Sequence, residues 1–303
     1  MSPQVFVDGL VSGSMIGLGA IGLTLVYSIL RFPNFAHGEL VTAGAYIALT
    51  LAGLIGAAVG VSAPIGPFSF GWTVILAALL AMGGTALLAL ALDRVLFARL
   101  RRHGAAVIIV VMASFGASLA LRAAIEFAWT SSPAYFTREL QIAMRLAGGV
   151  RVTPDQLAAL GLTAVLVVAV HLLVAHTAAG RAMRAVRENP SLAALAGIDV
   201  ARTIRLVWVL GAALACAAGV TMGLLVQIRP TMGFDLLLPL FAAAILGGVG
   251  SLPGAVVGGL VVGIGEAMTV ALLGAEWRAG AAFMLLVAIL MLRPSGIFGQ
   301  KGG

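Results

Sequence analysis

Between Met1 and Leu92 the only formally charged side chains are Asp8, Arg31 and Glu39. A stretch of that length with so few charges cannot cover a water-facing surface, so it must face lipid or other buried helices. The whole chain carries 10% charged and 61% hydrophobic residues, where an ordinary soluble domain has about a quarter charged. A water-soluble fold is excluded, and the expected class is an all-α, polytopic transmembrane bundle forming a single domain over residues 1–303.

A helix needs about 20 apolar residues to cross the hydrocarbon layer. Runs of that kind lie at about 5–30, 39–59, 71–92, 105–129, 156–176, 206–227 and 253–273, with shorter ones at about 236–248 and 279–292. Eight or nine membrane segments are expected, some short or interrupted. The run after Met1–Gln4 is too long for a signal-peptide core and reads as an uncleaved first span.

The net charge of +7 gathers in short stretches between apolar runs, without the aromatic interleaving of a nucleic-acid surface. Asp93–His103 holds Arg94, Arg99, Arg101 and Arg102, and Thr177–Arg205 holds five arginines. Positive-inside bias makes both cytoplasmic, with the tail carrying Arg293 and Lys301. Counting back through three spans places the N-terminus outside; if residues 39–59 do not cross, it moves inside. Trp72, Trp129, Trp208 and Trp277 fall at expected span ends, where the headgroup layer favours the indole ring. The outer stretch Thr130–Asp155 is too short for a receptor domain, so solute capture needs another protein. Cys216 is the single cysteine, which leaves no intramolecular disulfide and no multi-cysteine metal site.

Gly9, Gly13 and Gly17 recur at four-residue spacing, as do Gly254 with Gly258 and Gly259 with Gly263. Small residues so spaced let helix backbones approach closely. Close packing inside one bundle is the expected reading, a face between subunits the alternative. No Gly-x-x-x-x-Gly-Lys-Ser/Thr phosphate cradle occurs in the sequence, so ATP hydrolysis is expected on other subunits. The run Gly247–Gly254, GGVGSLPG, has no following Lys and reads as a tight turn. No cofactor and no metal site is expected, and no Ser, His and acid arrangement supports an enzyme.

Gly180–Arg205 reads GRAMRAVRENPSLAALAGIDVARTIR. Asn189 and Pro190 interrupt it, Pro190 and Ser191 open a short helix over 192–196, and Gly197 can terminate it. A short helix with Ala on its surface, beneath a membrane bundle, suits a groove on a soluble partner.

This stretch resembles the ATPase-contacting loop of ABC importer permeases, and the form ENPSLAALAGID is similar to the branched-chain amino acid permease family. YSILRFPNFAHGELVTAGAY, Tyr27 to Tyr46, and FDLLLPLFAAAILGGVGSLPGAVVGG, Phe234 to Gly259, resemble the same family. The likeness extends over the whole chain and is nearest the smaller of two paired permeases. It implies a coupling element at about 177–205 containing Arg184, Arg187, Glu188, Asn189, Pro190, Ala193, Ala194, Gly197, Ile198 and Asp199. It further implies as partners a second homologous permease subunit, two ATPase subunits and a periplasmic or extracellular solute-binding protein, in the bacterial inner membrane.

Ionisable groups inside spans are costly and are functional candidates by default. Asn34, His37 and Glu39 follow the first span where Pro33 interrupts it; they either line a cavity or cap the next helix. Glu266 lies in an apolar run with no identifiable partner, either bonded to a neighbouring helix or on the pathway. Arg122 and Glu126 are four apart and are expected to form a structural ion pair. The reading that unites these features is half of a translocation pathway for branched-chain amino acids. The rival is a stand-alone, ion-coupled secondary carrier of a small solute such as an amide or urea, which would favour paired halves and several intramembrane carboxylates.

Overall fold

The structure, a computed structural model, describes residues 2–60, 63–137, 141–145, 149–293 and 296–299; Lys301 lies outside them. Its long elements are α1 (Pro3–Leu30), α2 (Ala36–Val59), α3 (Trp72–Leu92), α5 (Val107–Trp129), α6 (Pro154–His176), α9 (Val200–Leu225) and α11 (Leu252–Leu273), with a shorter α10 (Met232–Gly247) and α12 (Arg278–Leu292). The short helices α4 (Ala98–Arg102), α7 (Ala178–Glu188) and α8 (Pro190–Leu195) lie between them. Among the described residues eight helical segments are long and apolar enough to span a membrane, and α10 is a shorter apolar one. The outer stretch adds one small antiparallel pair, β1 (Met144–Arg145) with β2 (Arg151–Val152).

α1 and α9 form the centre. Of the most apolar window of α1, 83% is buried, and of α9 72%, against 17% for α6 and 11% for α12. Lipid is as apolar as leucine, so burial of oil-like surface does not drive these helices together; close approach and hydrogen bonds do. The glycine spacing supplies that approach within the chain. A Cβ on Gly9 would stand 2.7 Å from Ile264 Cα, one on Gly13 2.8 Å from the Gly259 carbonyl, and one on Gly17 3.4 Å from Val256. α1 and α11 therefore run antiparallel, backbone to backbone, while Gly254 and Gly258 admit Gly247 and Ala243 of α10.

Two expectations change. Asp93–His103 is not a loop: a π-turn over Asp93–Phe97 and then α4 continue α3, giving one helical segment Trp72–Arg102. From Asp93 on, no Gly or Pro interrupts it before Gly104, at φ +64°, and Arg101 pairs with Asp93 at 2.7 Å. α9 likewise begins at Val200 instead of 206, because Asp199 accepts the Arg202 N–H at 2.8 Å as its cap. Trp208 consequently lies inside the helix, 1% exposed and stacked on Phe97 with ring centres 5.4 Å apart, not at the headgroup layer.

The ends are ordered as the charges require. Gln4 donates to the Arg151 carbonyl in the outer stretch, and Arg31 donates to the Arg187 carbonyl. The N-terminus thus lies at the end opposite the basic segments. GGVGSLPG is a turn, with Gly248 at φ +96° and Gly250 at +87°, and Ile297 and Phe298 donate to the Leu246 and Gly247 carbonyls that end α10.

Candidate functional site

Arg31 closes α1 in the left-handed region, φ +55°, with its N–H on the Tyr27 carbonyl. The chain then turns back into the bundle. His37 Nε2 lies 3.0 Å from the Gly19 carbonyl, eleven residues before Leu30, a climb of about 16 Å at 1.5 Å per residue. Irregular backbone at such depth is tolerated only where its polar groups find partners. Here Ser114 Oγ accepts the Phe35 N–H at 3.2 Å, Asn34 Oδ1 accepts the Ala36 N–H at 3.2 Å, and the Asn34 carbonyl accepts the His37 N–H. The N-cap of α2 is Phe35, without a side-chain cap, and Asn34 Oδ1 takes the Ala36 N–H from one residue earlier, while Asn34 Nδ2 is buried without a partner.

α10 makes the matching break. The chain leaves α9 at Leu225, bridges Ile228 to Ala134 and restarts at Met232, where the Gly233 N–H donates to Thr42 Oγ1 at 2.9 Å. Gly38 and Gly233 then touch so closely that a Cβ on either would overlap the carbonyl of the other.

Glu39 stands in the first turn of α2, fully buried. Arg122 Nη2 approaches its Oε1 at 3.4 Å and Ser118 Oγ at 3.5 Å, and the guanidinium lies 4.2 Å from the centre of the Phe234 ring. The expected Arg122–Glu126 pair is thus replaced. Glu126 lies on an exposed part of α5, whereas Glu39 is a buried carboxylate whose charge needs compensation. Glu266 finds its partner in Arg278, Nε to Oε2 at 3.3 Å, across the α11–α12 hairpin; this pair is separate from the one formed by Glu39.

At the opposite end of the pathway candidates, Thr177 caps α7, which buries Met183 and Val186 on one face. Arg184 donates to the Val174 carbonyl, and to that of Ala175 at 3.5 Å. Arg187 donates to the Gly250 carbonyl at 2.9 Å while its own carbonyl receives Arg31 at 3.0 Å. Glu188 ends α7. Asn189 Oδ1 accepts the Ser191 and Leu192 N–H groups, both at 3.0 Å, and Pro190 opens α8. Gly197, φ +83°, ends it, Ile198 N–H returns to the Ala193 carbonyl, and Asp199 starts α9.

α8 does not present Ala193 outward; that residue is 5% exposed. Ala194 is exposed, and beside it Leu192 and Leu195 stand 62% and 85% exposed. These leucines were missed from sequence, although a Leu pair three apart beside a basic helix was the available signal. Elsewhere an apolar groove of about 340 Å³ runs between α3, α6 and α9. Its one ionisable residue, Asp155, is committed to Ser69 and Gln141, so the groove offers no polar station.

Spanning helices, with α2 and the shorter α10 beginning at depth beside a buried ion pair, and an apolar tip on a basic cytoplasmic-type hairpin define a multi-pass transport protein. The chain belongs to the family described as branched-chain amino acid transport system / permease component, which it matches over residues 5–292. It is 31% identical, over 98% of its length and 95% of the relative's, to the high-affinity branched-chain amino acid transport system permease protein LivH of Escherichia coli K12. The corresponding protein BraD of Pseudomonas aeruginosa is 33% identical over the same shares. A probable LivH of Methanocaldococcus jannaschii is 29% identical over 99% of this chain and 93% of its own.

Proposed function

We propose that this chain is one of two permease subunits of an ATP-driven importer in the cytoplasmic membrane, and that it lines half of the pathway for branched-chain amino acids. The names of its relatives support the substrate class. The second permease, the two ATPases and the solute-binding protein follow from what this chain would need to borrow: an energy source and a receptor.

The observation that carries the reading is α8. Two leucines exposed outside any span are unfavourable in water and mark an interaction surface. Arg187 connects that surface to the α10–α11 turn through Gly250 and to the start of the α2 break through Arg31. A push on α8 therefore reaches both interrupted helices, and with them Asn34, His37 and Glu39, which serve as gate. Glu266, held by Arg278 away from this cluster, serves the outer hairpin.

Replacing Leu192 and Leu195 together by Asp tests the coupling role. ATPase subunits should co-purify with the native chain and be lost from the variant, while the variant elutes as a well-folded membrane protein. ATPases retained on the variant would reject α8 as the docking element.

A further inference from the structure

Arg122 lies seven residues before Trp129 on α5, about 10 Å inside the outer end of that helix. An arginine at that depth beside lipid reaches toward the nearer headgroups. Arg122 does the reverse. Its guanidinium lies back along its helix, where Ser118, one turn earlier, shares the same Glu39 oxygen, and it rests on Phe234 of α10. Three elements hold it at the level where α2 and α10 begin.

The pairing is incomplete. A closed Arg–carboxylate pair makes two contacts of about 2.7 to 2.9 Å; this one makes a single approach at 3.4 Å. The Arg122 Nε–H and Glu39 Oε2 are both buried without a hydrogen-bond partner. The arginine side chain keeps 21% exposure, and Phe234 keeps 40%. About 10 Å further along both helices, Phe35 packs edge-on against Phe115 of α5 at 6.0 Å and, tilted, against Phe241 of α10 at 5.3 Å. The result is a partly exposed guanidinium inside the membrane, resting on one aromatic ring and only loosely paired with its carboxylate.

That chemistry fits a carboxylate borne by an apolar molecule. Arginine presents planar, forked donors to a carboxylate, and aromatic rings accept a branched aliphatic side chain. Glu39 neutralises the site before a ligand arrives, and a zwitterion adds no net charge, so entry leaves no uncompensated ion in a poorly solvated place. We infer that Arg122 receives the carboxylate of the amino acid during passage, with Phe234 beside it; this rests on the import reading above.

The test uses the assembled transporter in proteoliposomes, with binding protein, labelled leucine, and two readouts, ATP hydrolysis and uptake. Arg122→Met alone leaves Glu39 buried and unpaired, so the decisive variant is Arg122→Met with Glu39→Gln, which removes both charges. It should assemble with the ATPases, while its uptake falls about tenfold or more below that of Glu39→Gln alone, which alters the gate but keeps the guanidinium, the scale of a lost charge-assisted hydrogen bond. Arg122→Lys, which keeps the charge without the fork, should fall between. If the double variant imports leucine as fast as Glu39→Gln alone, or loses ATPase capture together with uptake, the pair is structural and the inference is overturned. Failure of the import reading looks different: the native complex would hydrolyse ATP and import no amino acid.

Discussion

At Gly233 an amide hydrogen bond to Thr42 and a backbone contact with Gly38 meet at one point, and there is no room for a side chain on either helix. Gly233→Ala should lower stability by about 1 to 3 kcal/mol, the scale of overpacking a filled interior, seen as a fall in the thermal midpoint in detergent. Gly53→Ala is the matched control, since nothing lies within 4 Å of that position and alanine favours helix. Equal midpoints for both variants would mean that the α2–α10 contact is dispensable. Residue identities in this region were legible in the sequence, but their partners were not. Glu39 was recognisable as a buried acid, yet Arg122 was assigned to Glu126 because spacing along one helix is visible in a sequence and an approach across eighty residues is not. Glu266 shows the same limit: Arg278 is near in sequence, but only the α11–α12 turn brings its Nε to 3.3 Å.

At the scale of elements, α8 has six residues, too few to persist by propensity alone. Its cap does much of the work of holding it. Asn189→Ala removes two hydrogen bonds of 3.0 Å and should cost about 1 kcal/mol of local helix stability, read as a roughly fivefold weaker affinity for ATPase subunits by the same free energy. Unchanged affinity would show that the ATPase recognises sequence without requiring the helix to be preformed. The short helix, its Asn–Pro opening and its Gly ending were all readable, because caps are local chemistry. Helix ends made of arginine were not: residues 98–102 and 200–205 read as loop by charge and are helix, and Trp208 moved from the membrane interface to the core as a result. Charge marks which side of a membrane a segment occupies; it does not mark where hydrogen bonding stops.

Over the whole molecule, α1 threads the middle, α11 lies along it through glycine contacts, and α2 and α10 start at depth on opposite sides of the Gly38–Gly233 contact. The apolar pattern gave the number of segments, since length and hydropathy suffice for that. The four-residue glycine spacing also foretold close packing, and the structure places that packing inside one chain, leaving the α5–α10 face with Arg122 and Phe234 open. An open charged face at membrane depth requires cover other than lipid, which is the physical case for a second permease and a pathway between the two.

The most direct test is leucine uptake into proteoliposomes holding this chain with its second permease and ATPases. Uptake should require ATP and external loaded binding protein, persist without an ion gradient, and vanish when residues 188–199 are replaced by a Gly/Ser linker. Uptake by this chain alone, driven by an ion gradient and indifferent to ATP and to the linker, would contradict the account.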